Sequence, residues 1–281
     1  MPDRCQSGVG LGRGCGYVSA DVAVDLGRAL MDPILSLRNV ALGYPGHTLF
    51  RGLSLDIEAG TTTAVIGANG SGKSTFAKMM LGLHPPSAGR MFWPGGRPKE
   101  VGYLAQMTEF DRAFPLRVRD LVAMGAWNGF GLRGRLNAAM RDRIASAMEA
   151  AGVADIADQS LHMLSGGQLQ RALFARVIVQ DAPLILLDEP FAAVDQRTEA
   201  HLLRLIDQWR DEGRAVVLVV HDLSSVLDHC DTALLLGAGE ATFGEVATVL
   251  TPDRLVAQNY LSASQAAWMF GARDARGDAH V

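Results

Sequence analysis

The sequence predicts an α/β fold in which a mostly parallel sheet is covered by helices on both faces. Apolar, β-branched runs with the length of buried strands occur at 61–66, 184–187, 215–220 and 232–236. An amphipathic helix lies between the second and third of these runs, and its apolar face is formed by Leu202, Leu205, Ile206 and Trp209. Apolar strands that alternate with helices are typical of parallel sheets buried on both faces.

An antiparallel β subdomain is predicted ahead of this core. The segments Ile34–Tyr44 and Thr48–Ile57 alternate loosely between apolar and polar residues, and a Pro45-Gly46 turn joins them. Further along, the Pro/Gly-rich residues 85–98 indicate a turn.

The texture of the sequence changes after a strand predicted at Val101–Leu104, which leads into Gln106. From about residue 107 to 172, the stretches Val118–Met124 and Leu136–Ala151 have helical periodicity, and no strand-like run occurs. We therefore expect a helical subdomain to be inserted at about 107–172.

These patterns divide the chain into three parts. We expect one domain at 34–262, preceded by a Gly-rich, patternless and disordered N-terminal extension at 1–33. The polar C-terminal tail at 263–281 is expected to be flexible at least after residue 270.

The bulk composition excludes several classes of protein. A net charge of −4 provides no basic surface for nucleic acid, so no nucleic-acid partner is expected. No apolar run reaches the roughly 18 residues that a membrane-spanning helix needs. Cys5, Cys15 and Cys230 lack the spacing of a zinc site, and their odd number indicates a reducing compartment.

A phosphate-binding loop is predicted between the first core strand and a helix at 74–83. The run GANGSGKST fits the spacing G-x-x-x-x-G-K-[ST], in which glycines let backbone N–H groups approach phosphate oxygens. The lysine of this motif reaches the β- and γ-phosphates and the serine hydroxyl binds Mg²⁺. We expect a nucleoside triphosphate to be bound by Gly67, Ala68, Asn69, Gly70, Ser71, Gly72, Lys73, Ser74 and Thr75.

Two carboxylates follow the second core strand. Because ligands of doubly wound folds bind at the carboxyl ends of the strands, Asp188 and Glu189 are expected next to the phosphate loop. Asp188 is expected to hold Mg²⁺ through water, and Glu189 to act as the general base for the attacking water.

A second glycine-rich turn, Leu164-Ser165-Gly166-Gly167-Gln168, precedes a helix predicted at Gln168–Gln180. Such a turn can be a second phosphate-binding helix end, but the spacing alone favours an ordinary helix cap with Ser165 as the N-cap.

The LSGGQ string is the signature of ATP-binding cassette (ABC) proteins, which the chain resembles from about Ile34 to Leu261. The resemblance implies a P-loop NTPase fold of the ABC type and gives roles to four more residues. Tyr44 stacks on adenine, Gln106 senses Mg²⁺ and the water, Asp195 communicates across a dimer, and His221 contacts the γ-phosphate. Two positions depart from the family pattern: Ala192 replaces a frequent Ser, and Val220 a frequent Thr.

The mechanism implied by the resemblance is a head-to-tail homodimer. Each ATP is bound by the phosphate loop of one chain and, in trans, by the signature residues of the other chain. Catalysis is then expected from Glu189, His221, Gln106 and Lys73. The Mg²⁺ bound with ATP is expected near Ser74, Gln106 and Asp188. The signature residues that act in trans are Ser165, Gly166, Gly167 and Gln168.

Transport is the expected use of this ATPase. The segments Phe114–Gly125 and Asp188–Asp195 are similar to cassettes of zinc and manganese importers. The resemblance implies separate integral-membrane permease subunits, a secreted or periplasmic substrate-binding protein, and a peripheral position on the cytoplasmic face of the inner membrane. An iron-siderophore or cobalamin importer, or a soluble ABC ATPase without a transporter, remains open.

The run Asp228-His229-Cys230-Asp231 has the residue types of a metal site, but adjacent residues do not easily converge on one ion. We expect no tight zinc site in this chain.

Overall fold

The computed structural model describes residues 33–106, 114–127, 136–192, 194–221, 223, 228–268 and 270. The predicted N-terminal extension, apart from Pro33, and the tail after residue 270 lie outside this part of the chain. The domain limits at 34–262 and 107–172 therefore remain predictions.

Nine strands occur in the described residues and form two sheets. Their bounds are β1 Leu35–Tyr44, β2 His47–Ile57, β3 Thr62–Gly67, β4 Ala88–Phe92, β5 Gly102–Leu104, β6 Leu184–Asp188, β7 Ala215–Val219, β8 Thr232–Gly237 and β9 Glu240–Glu245. The smaller sheet is antiparallel, in the order β2-β1-β4. The larger sheet has the order β5-β6-β7-β3-β8-β9 and is parallel except for the pairing of β8 with β9.

Five of the described helices lie between strands along the chain, and two follow β9. Their bounds are α1 Lys73–Met80, α2 Val118–Ala123, α3 Ala138–Ala150, α4 Gly166–Gln180, α5 Gln196–Asp211, α6 Val246–Val249 and α7 Pro252–Ala257. Between α2 and α4 the described elements are α3 and three short 3₁₀ turns. Within the described chain, no helix is long and apolar enough to cross a bilayer.

The larger sheet is buried on both faces, as the α/β prediction requires. Ala64 and Ile66 of β3 point into an apolar cluster shared with α2 to α5, where Phe174 stacks on Trp209 with ring centroids 6.0 Å apart. Val65 points to the opposite face, into a cluster with α1 and the antiparallel sheet. The predicted mostly parallel core with an antiparallel β subdomain is therefore confirmed.

Two strands escape the sequence prediction. β4 lies inside 85–98, which was predicted as a turn; that prediction was wrong because the strand AGRMF is largely exposed and lacks an apolar pattern. Its Gly89 has φ +76°, and a Cβ there would lie 2.2 Å from the carbonyl oxygen of Asn39. β9 is an edge strand that is nowhere fully buried, so hydropathy does not reveal it either.

Candidate active site

The register of the larger sheet brings the predicted site residues to one edge. In the register of the sheet, Val219 of β7 pairs with Asp188 of β6 on one side and with Val65 of β3 on the other. β5 runs parallel to β6, with Leu104 level with Leu187. The chain therefore leaves all four strands in the same direction, and the phosphate loop, Gln106, Glu189 and His221 follow these ends.

The phosphate loop connects β3 to α1, with Lys73 as the first residue of the helix. Lys73 is 7% exposed, and its ammonium donates to the carbonyl oxygens of Gly67 at 2.6 Å and Ala68 at 3.1 Å. Burial lowers the pKa of Lys73, while the charges of Glu189 and Asp188 act in the opposite direction. The ammonium therefore lies at the carboxylate edge, held by the loop itself.

Glycine is required at two positions of this loop. A Cβ on Gly67 would lie 2.2 Å from the carbonyl oxygen of Leu236 and 2.4 Å from Oγ of Ser71. Gly72 has φ +106°, a backbone conformation that disfavours other residues. Gly72 caps α1 without a side-chain hydrogen bond, so the first N–H groups of this helix receive no side-chain cap.

Gln106, Glu189 and His221 come together although they are far apart in sequence. Nε2 of Gln106 donates to Oε2 of Glu189 at 2.7 Å, and Nε2 of His221 lies 2.5 Å from Oε1 of the same carboxylate. Because an ionised carboxylate only accepts hydrogen bonds, Nε2 of His221 carries the hydrogen in this contact. Both carboxylate oxygens of Glu189 are thus engaged.

The backbone fixes Glu189 in an uncommon conformation. Glu189 has φ +50°, its N–H donates to the carbonyl oxygen of Val219 at 2.9 Å, and its carbonyl accepts from Ala192 N at 3.1 Å. A positive φ is uncommon for a residue other than glycine. The conformation turns the chain sharply just after Asp188.

Tyr44 lies at the end of β1 with half of its surface exposed. Its hydroxyl is 3.2 Å from Oγ1 of Thr75, and its ring centroid is 5.0 Å from that of His84, at a tilt of 46°. Nε2 of His84 is in turn 3.0 Å from the carbonyl oxygen of Gly43. The predicted base-stacking ring is therefore held by two partners, and sequence reasoning missed His84 because an isolated histidine after a helix carries no motif.

A cleft of about 380 Å³ connects these groups. Its lining residues are Tyr44, His47, Leu49, Asn69, Gly70, Gly72, Lys73, Ser74, Thr75, Glu189 and His221. The phosphate-loop residues that do not line it are Gly67, Ala68 and Ser71. Most of the predicted nucleotide-binding residues of one chain thus share one open cavity with Glu189 and His221.

The signature turn lies outside this cleft, and its own side chains form hydrogen bonds with its backbone N–H groups. Ser165 is the N-cap of α4: its Oγ accepts from Gln168 N at 3.2 Å, and its N–H donates to Oε1 of Gln168 at 2.9 Å. This capping box starts the helix at Gly166, two residues before the predicted start. None of the residues 164–168, all described, lines the cleft.

The helix that follows the signature turn contacts the catalytic turn of its own chain. Nε2 of the fully buried Gln170 donates to the carbonyl oxygen of Pro190 at 2.7 Å, directly after Glu189. Sequence reasoning gave Gln170 no role, because a glutamine inside a helix carries no signal of its own.

Asp195 is the N-cap of α5. Oδ1 accepts from Thr198 N at 2.8 Å, and Oδ2 accepts from the Thr198 hydroxyl at 3.2 Å. The backbone N–H of Thr198 is the main cause that lowers the pKa of Asp195. The structure thus gives Asp195 a capping role within one chain, and its part in a dimer remains a prediction.

The donor set of the cleft suits Mg²⁺. Ser74 lines the cleft, and Asp188, 5% exposed, ends β6, which is separated from β3 by β7. Hydroxyl and carboxylate oxygens are the hard ligands that Mg²⁺ prefers.

The run Asp228–Asp231 has a different character. Burial raises the pKa of the Cys230 thiol to about 12, and Nδ1 of His229 lies 3.6 Å from a carboxylate oxygen of Asp207. In the described part of the chain, no three His, Cys, Asp or Glu residues form a group that suits a metal ion. The absence of tight zinc remains a prediction.

Comparison with known proteins agrees with this geometry. Residues 50–192 match the family described as "ABC transporter". A manganese transport system ATP-binding protein of Bacillus subtilis (strain 168) is 35% identical over 225 residues, which are 79% of this chain and 90% of the relative. A zinc transport system ATP-binding protein of Treponema pallidum (strain Nichols) is 35% identical over 222 residues, or 76% and 82% of the two chains.

A solved structure gives the same result. An ABC transporter of the metal-chelate type, in an inward-facing conformation, is similar with a TM-score of 0.74 and 30% identity, over 82% of this chain and 90% of that one. The resemblance based on the LSGGQ string and the phosphate loop is thereby confirmed. The chain belongs to the ABC transporter family, as one of its ATP-hydrolysing cassettes.

Proposed function

We propose that this chain is the ATPase subunit of an importer that takes up a divalent metal ion, zinc or manganese, through separate membrane permease subunits. The assignment of a metal cargo depends on the 35% identity to manganese and zinc transport ATP-binding proteins over most of their length. We further propose a peripheral position on the cytoplasmic face of the inner membrane and a secreted or periplasmic substrate-binding protein as an indirect partner.

Hydrolysis is assigned to the residues gathered at the sheet edge. In this proposal the ammonium of Lys73 leaves the carbonyls of Gly67 and Ala68 and binds the β- and γ-phosphates of ATP. The uncapped N–H groups of α1 bind phosphate oxygens, and Tyr44 stacks on the base. Ser74 and Asp188, with Gln106, hold Mg²⁺, which supplies neutralisation of phosphate charge when it is bound.

Glu189 is proposed as the general base. Its carboxylate oxygens accept one hydrogen bond each, from Gln106 and His221, and retain lone pairs that can accept a proton from water. His221 then contacts the γ-phosphate. ATP binding thus changes the partners of Glu189, Gln106 and His221 together.

The pocket is proposed to be completed in trans. Ser165, Gly166, Gly167 and Gln168 do not line the cleft of their own chain, which supports a homodimer in which they contact ATP bound by the partner chain. Asp195, at the start of α5, is proposed to contribute to this interface.

A second candidate cargo is chelated iron. The similarity to a chelated iron transport system protein of Yersinia pestis, 32% identical over 230 residues, favours it. A solved transporter of the metal-chelate type, at 30% identity, is consistent with it. The cargo never contacts the ATPase, so this choice depends on the permease.

Uptake measurements separate these candidates. In cells that lack this gene, uptake of manganese, zinc and chelated iron is compared after expression of the wild-type chain or of Glu189→Gln. We expect only the wild-type chain to restore uptake of manganese or zinc. Restoration of iron-chelate uptake alone would select the second candidate, and equal restoration by Glu189→Gln would contradict an ATP-driven importer.

A further inference from the structure

The C-terminal segment reaches the loop that carries His221. The hydroxyl of Tyr260 donates a hydrogen bond to the backbone carbonyl of His221, across 39 residues of sequence. His221 lies two residues beyond the end of β7. A side chain outside the cleft-lining residues therefore contacts the backbone of a residue inside the cleft.

The position of Tyr260 is set by the end of a helix. After α7 the chain turns at Asn259, which has φ +56°. The N–H groups of Tyr260 and Leu261 donate to the carbonyl oxygen of Leu255 at 2.9 and 3.2 Å. Tyr260 and Leu261 also pack against the main apolar cluster. The hydroxyl of Tyr260 is thus presented from a fixed turn.

His221 needs such a support. Its side chain is 45% exposed, and it follows Val220, whose N–H donates to the carbonyl oxygen of Val65 at 3.2 Å. The contact between Nε2 of His221 and Glu189 depends on where the His221 backbone lies. The Tyr260 hydroxyl thus adds a second hydrogen bond to this stretch of backbone, beside the link to β3 through Val220.

We propose that Tyr260 is a positioning residue for ATP hydrolysis, which holds the His221 backbone so that the imidazole meets Glu189 and the γ-phosphate. The inference rests on the proposed role of His221. Tyr260 contacts neither nucleotide nor water in this proposal, and acts only through the histidine.

The test is Tyr260→Phe, which removes the hydroxyl and retains the ring that packs on the apolar cluster. ATP hydrolysis by the purified full-length chain is measured with its KM for ATP, alongside thermal unfolding. Because one hydrogen bond typically shifts an equilibrium by roughly fivefold, we expect kcat to fall about five- to tenfold with KM unchanged. An unchanged kcat would overturn the proposal.

A matched control separates positioning from loosening of the C-terminal segment. Ser262 caps the next helical turn: its Oγ accepts from Gln265 N at 3.3 Å, and its N–H donates to Oε1 of Gln265 at 2.9 Å. Ser262→Ala weakens this turn without touching His221, so kcat is expected to stay at the wild-type value. If Ser262→Ala lowers kcat as much as Tyr260→Phe does, Tyr260 is only structural.

A double variant remains informative even if Tyr260→Phe is less stable. In a His221→Ala background, Tyr260→Phe is expected to cause no further loss of kcat, because the residue it positions is absent. A further loss would overturn the proposal. The two hypotheses fail differently: wild-type hydrolysis by His221→Ala contradicts the role of His221, whereas a slow His221→Ala with a normal Tyr260→Phe contradicts only the role of Tyr260.

Discussion

The two glycine-rich helix starts of this chain differ in how their backbone N–H groups are satisfied. At α1, Gly72 offers no side-chain cap, and the loop before it lines the cleft. At α4, Ser165 and Gln168 form a capping box, and the turn lies away from that cleft. Two glycine-rich helix N-termini of the same chain therefore differ: the N–H groups of α1 are available to a ligand, whereas those of α4 are already capped by side chains.

This difference indicates how the two ends are used. At α1 no side-chain acceptor occupies the first N–H groups, whereas at α4 a phosphate group has to compete with Oγ of Ser165 for the N–H of Gln168. We therefore expect α1 to bind ATP first and the signature turn to bind later, when a partner chain presents its nucleotide.

The largest effect on ATP hydrolysis is expected from Glu189→Gln. This variant leaves the phosphate loop and the signature turn unchanged and removes the general base. Loss of a positioned general base typically costs about 10²–10⁴-fold in rate, so hydrolysis should fall by at least about 100-fold. ATP stays bound, and dimer should accumulate in size-exclusion chromatography with ATP. The control Glu149→Gln, an exposed position on α3, should behave as wild type. Normal hydrolysis by Glu189→Gln would mean that another residue is the base.

Mixing two inactive variants tests whether the phosphate loop of one chain and the signature turn of the other bind the same nucleotide. Lys73→Ala lacks a working loop and Ser165→Arg a working signature turn, and a mixed dimer contains one intact pocket out of two. If partners exchange at random, half of the dimers are mixed, so roughly a quarter of the wild-type pockets should return. Each variant alone should stay inactive in the same ATPase assay. Absence of any recovery would contradict the composite pocket.

Adding one methyl group to each glycine-rich end should affect stability at only one of them. A Cβ on Gly67 meets Leu236 O at 2.2 Å, whereas a Cβ on Gly167 meets only Thr198 Oγ1, at 4.0 Å. Gly67→Ala should thus lower the free energy of unfolding by about 1–3 kcal/mol, as overpacking does. Gly167→Ala, in the first turn of α4, should leave the unfolding midpoint unchanged or slightly raise it, and lower ATPase activity. Equal destabilisation in denaturant titrations would contradict the difference in packing.

The smallest expected effect concerns the pH dependence at Asp195. Hydrogen bonds from Thr198 lower the pKa of Asp195 in the folded chain, so its charge contributes stability above the unfolded pKa of about 3.9. That contribution is lost as pH falls through the folded pKa. Asp195→Asn should therefore be slightly less stable than wild type at pH 7, with the gap closing below about pH 4. A gap in unfolding midpoint that does not change with pH would exclude the charge as its cause.

The sequence anticipates the parts of this site that depend on short motifs. The phosphate loop, Asp188 with Glu189, and the LSGGQ string have local spacings whose chemistry is fixed by adjacent residues. The strands around them are buried and mostly apolar or β-branched, so hydropathy is sufficient to place them. The register between β6 and β7 then brings Asp188 to the same edge as the phosphate loop.

The parts that were missed depend on long-range contacts. β4 is exposed, His84 meets Tyr44 across 40 residues, and Tyr260 meets His221 across 39. Gln170 contacts Pro190 through a buried amide that no spacing rule reveals. None of these side chains belongs to a local motif, and only folding brings them to their partners.

The hydrogen bond from Gln170 to Pro190 has a consequence for the timing of the two hydrolysis events. In the proposed dimer, the first residues of α4 contact the ATP bound by the partner chain. One turn later, Gln170 of the same helix contacts the turn that follows Glu189 in its own chain. A shift of α4 caused by one bound ATP therefore also changes the position of Glu189 at the other ATP. We expect the two hydrolysis events to be cooperative rather than independent.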